Sequence, residues 1–190
     1  MKPLRDSSNG PEPSIASAGL TLEPQTAAHA AEMFVVLSDP AIYEYEHEPP
    51  PSVEWLRARF ARLESRRSAD GREQWLNWVI RLPTSALIGY VQASVRANGR
   101  AAIAYQLASA HWGRGLASQA VRAMIGELAK SHGVHTLAAV FKRENHRSRR
   151  LLEGIGFRLA SPQGHAEHQV EPGEQLMELE IRNLRTPIAP

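Results

Sequence analysis

Between residues 101 and 141 the chain changes period twice, and this constrains the fold more than any bulk property. Residues 101–108 have the composition of a strand. Ala117, Ala120, Val121, Met124, Ile125 and Leu128 then recur at i, i+3, i+4, i+7, i+8 and i+11, an unbroken apolar stripe along a helix over about 116–132. Gly133 closes that helix, and residues 136–141 return to a buried-type strand. A helix with one apolar face must lie on a sheet. Two strands flanking it make a β-α-β unit, which requires a parallel, right-handed crossover.

The remaining segments fill out a mixed α/β domain. Residues 1–17 are polar and Pro/Ser-rich and are expected to be a flexible N-terminal arm, with one domain over 18–185 and a tail over 186–190. Residues 20–22 suggest a short strand. A helix is expected over 26–37, with Ala31, Phe34 and Leu37 facing inward and Asp39-Pro40 ending it. Ser52 is placed to cap a second helix carrying Val53, Leu56, Phe60 and Leu63 on one side. Residues 75–82 and 86–95 have hairpin composition, and Asn98-Gly99 turns the chain into the next strand. Asn145 can cap a further helix ended by Gly154 and Gly156, Phe157 opens a strand, and 175–182 alternate as the last one. The expectation is a mostly antiparallel sheet with one parallel pair and about four helices.

Composition removes several function classes. With 190 residues and no cysteine, the chain can bury a core without disulfides and offers no cysteine nucleophile and no Cys-based zinc site. His165 and His168 lie three apart but lack a third ligand at suitable spacing, so no metal is expected. No apolar run reaches the ~18 residues of a membrane span, and the N-terminus lacks the apolar centre of a secretory signal. A cytoplasmic protein is therefore expected, monomeric or homodimeric. The 22 Lys and Arg against 20 Asp and Glu leave a net charge of +2, and the cluster Arg143, Arg147, Arg149 and Arg150 fits a solvated helix face rather than a nucleic-acid surface.

The junction YQLASAHWGRGLA, residues 105–117, carries the chemistry. A strand ends in a Gly-Arg-Gly step and a helix begins, so the first N–H groups of that helix are free to meet an anion. The two readings are a diphosphate cradle and a plain helix with a Gly-rich lead-in. A Walker-type loop is excluded because no Gly-Lys occurs in the chain. A dinucleotide fingerprint is excluded because Gly113-Arg114-Gly115 is followed by Leu116, Ala117 and Ser118, without the third glycine. The diphosphate of coenzyme A remains.

HWGRGLASQAV resembles the acyl-CoA loop of the GNAT superfamily of N-acetyltransferases, commonly Gln/Arg-x-x-Gly-x-Gly/Ala, with Trp112 in the Gln/Arg position as in the branch resembling ribosomal-protein N-terminal (alanine/serine) acetyltransferases. NHRSRRLLEGIGF, residues 145–157, resembles that branch's N-x-x-S-x-x-x-L-E-x-x-G-F block. GYVQAS and AIAYQLA resemble its central strands, LSDPAIYEY its substrate-side segment, and the likeness spans about 18–185. The resemblance implies a sheet splayed between its two parallel strands. The pantetheine arm of acetyl-CoA would pair with the backbone of Leu107 and Ala108, and the diphosphate would rest on Gly113, Arg114, Gly115, Leu116, Ala117 and Ser118 beside Trp112. Asn145 would reach the arm, and Arg149 and Arg150 are candidates for the 3′-phosphate.

The implied activity is acetyl transfer to a primary amine, a protein N-terminus or a small molecule, by direct attack in a ternary complex. The alternative on the same fold is a non-catalytic acyl-CoA sensor. Transfer needs a stabilised leaving thiolate, a held oxyanion and an amine that loses its proton. The acidic Tyr that some relatives carry seven residues after the Asn is Leu152 here. Ser148 fits the place near the sulfur, in the first turn of a helix whose dipole favours a thiolate. A strand carboxylate is absent from 137–140, so Glu167, ten residues past Phe157, is the expected base, with a water chain ending on backbone or Glu46 as the other route. Glu44, Glu46 and Glu48 form an acidic patch that would draw a cationic acceptor if it borders the cleft.

Overall fold

A computed structural model describes residues 13–45 and 48–181. In chain order its elements are β1 (Ile15–Ser17), β2 (Leu20–Pro24), α1 (Ala30–Leu37), α2 (Val53–Leu63), β3 (Glu73–Arg81), β4 (Leu87–Arg96) and β5 (Arg100–Leu107). There follow α3 (Leu116–Ser131), β6 (Thr136–Lys142), α4 (His146–Ile155), β7 (Arg158–Leu159), α5 (Pro162–Glu167) and β8 (Glu174–Glu180). The strands form one sheet in the order β1-β2-β3-β4-β5-β6-β8-β7. Among the described residues only β5 and β6 pair in parallel, and α3 is the crossover between them. Among the described residues, no helix is long and apolar enough to cross a membrane.

Alternation along the strands puts a core on each face of the sheet. Trp78 and Ile80 of β3 join Ala120, Val121, Met124, Ile125 and Leu128 of α3 and Leu152 and Ile155 of α4 on one side. Val79, between them, points the other way into a second cluster with Met33 and Leu37 of α1 and Leu56 and Phe60 of α2. The apolar stripe of α3 is therefore buried as its spacing requires.

Four expectations need correction. The helix over 26–37 starts as a 3-10 turn, Ala27–His29, and this tighter winding shifts the phase of α1: Ala30, Met33 and Leu37 are buried, Phe34 is half-buried and Ala31 is exposed. Residues 15–17 of the expected arm are a strand, because Gly19 at φ +88 closes a hairpin onto β2. Among the described residues there are five α segments, one beyond the approximate four, since Ser161 caps α5 and Pro162 opens it within what looked like a polar loop. The last strand ends at Glu180; residues 1–12, Glu46, and the expected tail 186–190 lie outside the described residues.

Candidate active site

The parallel pair is joined only at its base. Arg100, Ala101 and Ala102 lie opposite Thr136, Leu137 and Ala138, and pairing stops there. Beyond that point β5 is held only by β4, as far as Gly89 opposite Leu107, and β6 only by β8, as far as Lys142 opposite Glu174. The strands diverge into a V whose cavity measures about 470 Å³ and is walled by Ile103 to Leu107 on one side and Ala139 to Phe141 on the other.

Backbone polarity in the V follows from register. The Ala108 amide donates to Ile88 O at 2.9 Å, and its carbonyl accepts from His111 N at 3.0 Å, so both its groups are engaged. Peptide groups alternate sides along a strand, which turns those of Tyr105 and Leu107 into the gap. The Leu107 carbonyl accepts from the Trp112 indole N–H at 2.9 Å. Of the two backbone positions expected to meet a pantetheine arm, Leu107 faces the V and Ala108 faces β4.

Two helix starts converge on this cavity. Gly115, at φ +74, precedes α3, and no side chain caps the helix. The first intrahelical donor is Gln119 N, to Gly115 O at 3.0 Å, so the amides of Leu116, Ala117 and Ser118 precede the helical ladder. Those three residues, Gly113 and Gly115 line the cavity, whereas Arg114 is exposed and does not. Glycine is required at 113 and 115 by their positive φ; an added Cβ would meet nothing within 4 Å at either. At the start of α4, Asn145 Oδ1 accepts from Ser148 N at 3.0 Å and caps the helix, and both residues line the cavity. Arg150 lines it as well, while Arg149 pairs along the helix with Glu153 at 2.9 Å.

Tyr105 spans the V. Its hydroxyl lies 2.8 Å from Ser148 Oγ, with the Ser148 carbonyl at 3.4 Å. Burial pushes the Tyr105 phenol up to about 12, with the Ser148 hydrogen bond opposing it. Position 105 offered a cue in retrospect: strand alternation puts it on the face of α3 and α4, where a hydroxyl among apolar neighbours needs a partner.

The loop after α1 closes the other mouth. Asp39 Oδ2 accepts from Ser109 N at 2.6 Å and Oδ1 from Ala41 N at 3.0 Å. The Ser109 hydroxyl and amide hold the Asp39 carboxyl below its ordinary value. Gln106 Nε2 donates to Ile42 O at 3.2 Å, tying the loop to β5. Arg147 pairs with Glu44 and lays its guanidinium over the Trp112 ring, 4.2 Å from the centroid, with Tyr45 at 5.9 Å. Glu44 is thus neutralised by Arg147, and neither Glu44 nor Glu48 lines the cavity.

Glu167 is not brought to Ser148. Helix α5 carries it to the outer edge of β8, where it is exposed, accepts from Gln163 Nε2 at 3.0 Å and lines a separate cavity of about 670 Å³. Spacing from Phe157 fixed its distance along the chain but not its direction. Among the described residues no carboxylate lines the V; its titratable side chains are Tyr45, Tyr90, Tyr105, His111, Arg147 and Arg150. His165 bonds through both ring nitrogens, to Ser161 O and Leu176 N, and His168 Nδ1 to Gly164 O.

The sequence profile described as Acetyltransferase (GNAT) domain matches residues 19–158. The chain belongs to the GNAT acetyltransferase family. This N-acetyltransferase is 27% identical over 140 residues to the uncharacterized N-acetyltransferase p20 of Bacillus licheniformis, covering 73% of this chain and 78% of that one. Its fold is shared by RimL, a ribosomal L7/L12 alpha-N-protein acetyltransferase solved with coenzyme A, at TM-score 0.73, 17% identity, and 88% and 98% coverage of the two chains. It is also shared by AAC(6')-Ib solved with ribostamycin and coenzyme A, at TM-score 0.71, 19% identity, and 90% and 98% coverage.

Proposed function

We propose that this acetyltransferase passes the acetyl group of acetyl-CoA to the α-amine of a protein or peptide by direct attack in a ternary complex. The observation that carries the reading is the convergence of the uncapped start of α3, the unpaired inner edge of β5 and Ser148 on one cavity. The amides of Leu116, Ala117 and Ser118 hold the diphosphate, strengthened by the positive end of the helix. The inward peptide groups of β5 hold the pantetheine arm, and Arg150 and the Asn145 amide lie beside it. Ser148 donates to the sulfur as the C–S bond breaks, and the start of α4 favours the thiolate that forms.

The lining also bears on the acceptor. Among the described residues no carboxylate lines the V, so none of them offers a polycation an anionic partner or takes its proton as a fixed strong base. A protein α-amine needs neither: its ordinary pKa of about 7.7–8.0 leaves roughly a tenth as free base at neutral pH, against less than about one in a thousand for a lysine amine near 10.4. The loop residues Ala41, Ile42 and Tyr45, with Tyr90 and Gln106, offer a small, largely apolar receptacle for a first side chain.

The test is thiol release from acetyl-CoA with peptides bearing different first residues, aminoglycosides and polyamines. The proposal expects the highest kcat/KM for peptide α-amines with small first residues, and none for the same peptides blocked at the N-terminus. Faster turnover of a polyamine or aminoglycoside would overturn the choice of acceptor. Tight CoA binding without turnover of any amine would overturn the catalytic reading.

A further inference from the structure

The Tyr105–Ser148 bond joins opposite walls of the V, a strand and a helix start 43 residues apart, and the catalytic scheme above leaves it unused. A serine hydroxyl has one proton to give and two lone pairs to receive with. If Ser148 gave its proton to Tyr105, it would have none for the departing sulfur. If Tyr105 gives, the Ser148 proton is left to point elsewhere.

Direction follows from the surroundings. The oxygens within reach of the Tyr105 hydroxyl are Ser148 Oγ at 2.8 Å and the Ser148 carbonyl at 3.4 Å. A carbonyl can only accept, so a donating phenol serves both contacts. Burial holds the phenol protonated throughout the working range, so its proton is always available to donate.

We propose that Tyr105 is a positioning residue for acetyl transfer, donating to Ser148 Oγ so that the serine proton faces the cofactor sulfur. This inference rests on the acetyl-CoA reading above. Tyr105 itself transfers no proton: the amine attacks the thioester carbon, the C–S bond breaks, the thiolate is held by the Ser148 O–H, and the proton lost by the amine balances the one the thiol finally gains through solvent. Hydrogen-bond chains polarise along their length, so the phenol also strengthens the donor it orients. Position 152 on α4 is a fully buried leucine, and the phenol beside Ser148 comes from the facing strand.

The experiment uses the full chain with CoA, and needs no knowledge of the acceptor. The thiol of bound CoA is titrated by its ultraviolet thiolate absorbance in wild type, Tyr105→Phe, Ser148→Ala and the double variant, with binding measured separately by calorimetry. The expected result is a bound thiol titrating below free CoA in wild type, with Tyr105→Phe and Ser148→Ala each raising its apparent value by about one unit, a tenfold change in acidity. The double variant should match Ser148→Ala, and CoA affinity should stay within about threefold throughout. In an acceptor assay, Tyr105→Phe should lower kcat about tenfold with the KM for acetyl-CoA within twofold. A thiol unmoved by Tyr105→Phe, or additive losses in the double variant, would overturn the positioning role while leaving the acetyl-CoA reading intact. Failure of wild type to bind CoA would overturn both.

Discussion

Gly89 sits where β4 supports the end of β5, and replacing it with alanine tests whether the wall of the V depends on that support. A Cβ there would lie 2.1 Å from the Gln106 carbonyl oxygen and 2.9 Å from Leu107 Cα. Carbon and oxygen approach to about 3.3 Å even in close sheet contacts, so β5 must retreat by about 1 Å. The obstacle is backbone, which no rotamer change can move aside. Overpacking of this kind costs about 1–3 kcal/mol, and loosening the adjacent bond from Ala108 N to Ile88 O adds about 1 kcal/mol. For a domain of this size each kcal/mol lowers Tm by roughly 2–4 °C, giving a fall of roughly 5–15 °C for Gly89→Ala. Circular dichroism melts measure it, with Gly126→Ala as control: that glycine is exposed in mid-helix, its Cβ meets nothing within 4 Å, and alanine should raise Tm by roughly 1–4 °C. Well below its Tm, Gly89→Ala should also bind CoA at least about fivefold more weakly, because Leu107 is displaced. A Gly89→Ala protein that melts and binds like wild type would refute the reasoning.

Removing the Asp39 carboxylate tests the tie between the acceptor loop and the end of β5. Asp39→Ala should cost about 1–2 kcal/mol near neutral pH and raise the acceptor KM. Because the folded-state value of Asp39 lies below its ordinary one, this stabilisation is complete above pH about 4 and is lost as pH falls through the lowered value. The Tm gap between variant and wild type should therefore close in acid. Glu167→Gln should leave kcat/KM within twofold, since the residue lines the outer cavity; a loss of a hundredfold would show that α5 swings into the V during turnover.

Much of the fold is legible because its signals are local and redundant. The stripe from Ala117 to Leu128, Gly133 behind it, and the Asn98-Gly99 turn each point to the same β-α-β arrangement, and the helix emerges with that face buried. The Asn145 cap was legible for a similar reason: a cap and the first turn it serves, here carrying Ser148, lie close in sequence. What was not legible depends on direction through space. The 3-10 turn at Ala27 rotates α1 by a fraction of a turn, which exposes Ala31 and buries Met33. Ser161 and Pro162 begin a helix too short to show periodicity, and it carries Glu167 away from the V. Tyr105 becomes significant only when a strand and a helix 43 residues apart converge. Glu44 belongs to an acidic patch in the sequence, yet Arg147 reaches it from a helix a hundred residues later.

Cofactor binding rests on the amides that open α3, and a charge placed among them separates binding from folding. Ser118 lies in the first turn of that helix and lines the cavity. An aspartate at 118 is compatible with the helix dipole, so Ser118→Asp should fold with an unchanged or slightly raised Tm. The same charge opposes a diphosphate. Calorimetric titration of CoA should give saturable heat with one site per chain for wild type and at least about tenfold weaker affinity for Ser118→Asp. No heat from wild type, or equal affinity in the two proteins, would contradict the claim that these amides hold the diphosphate.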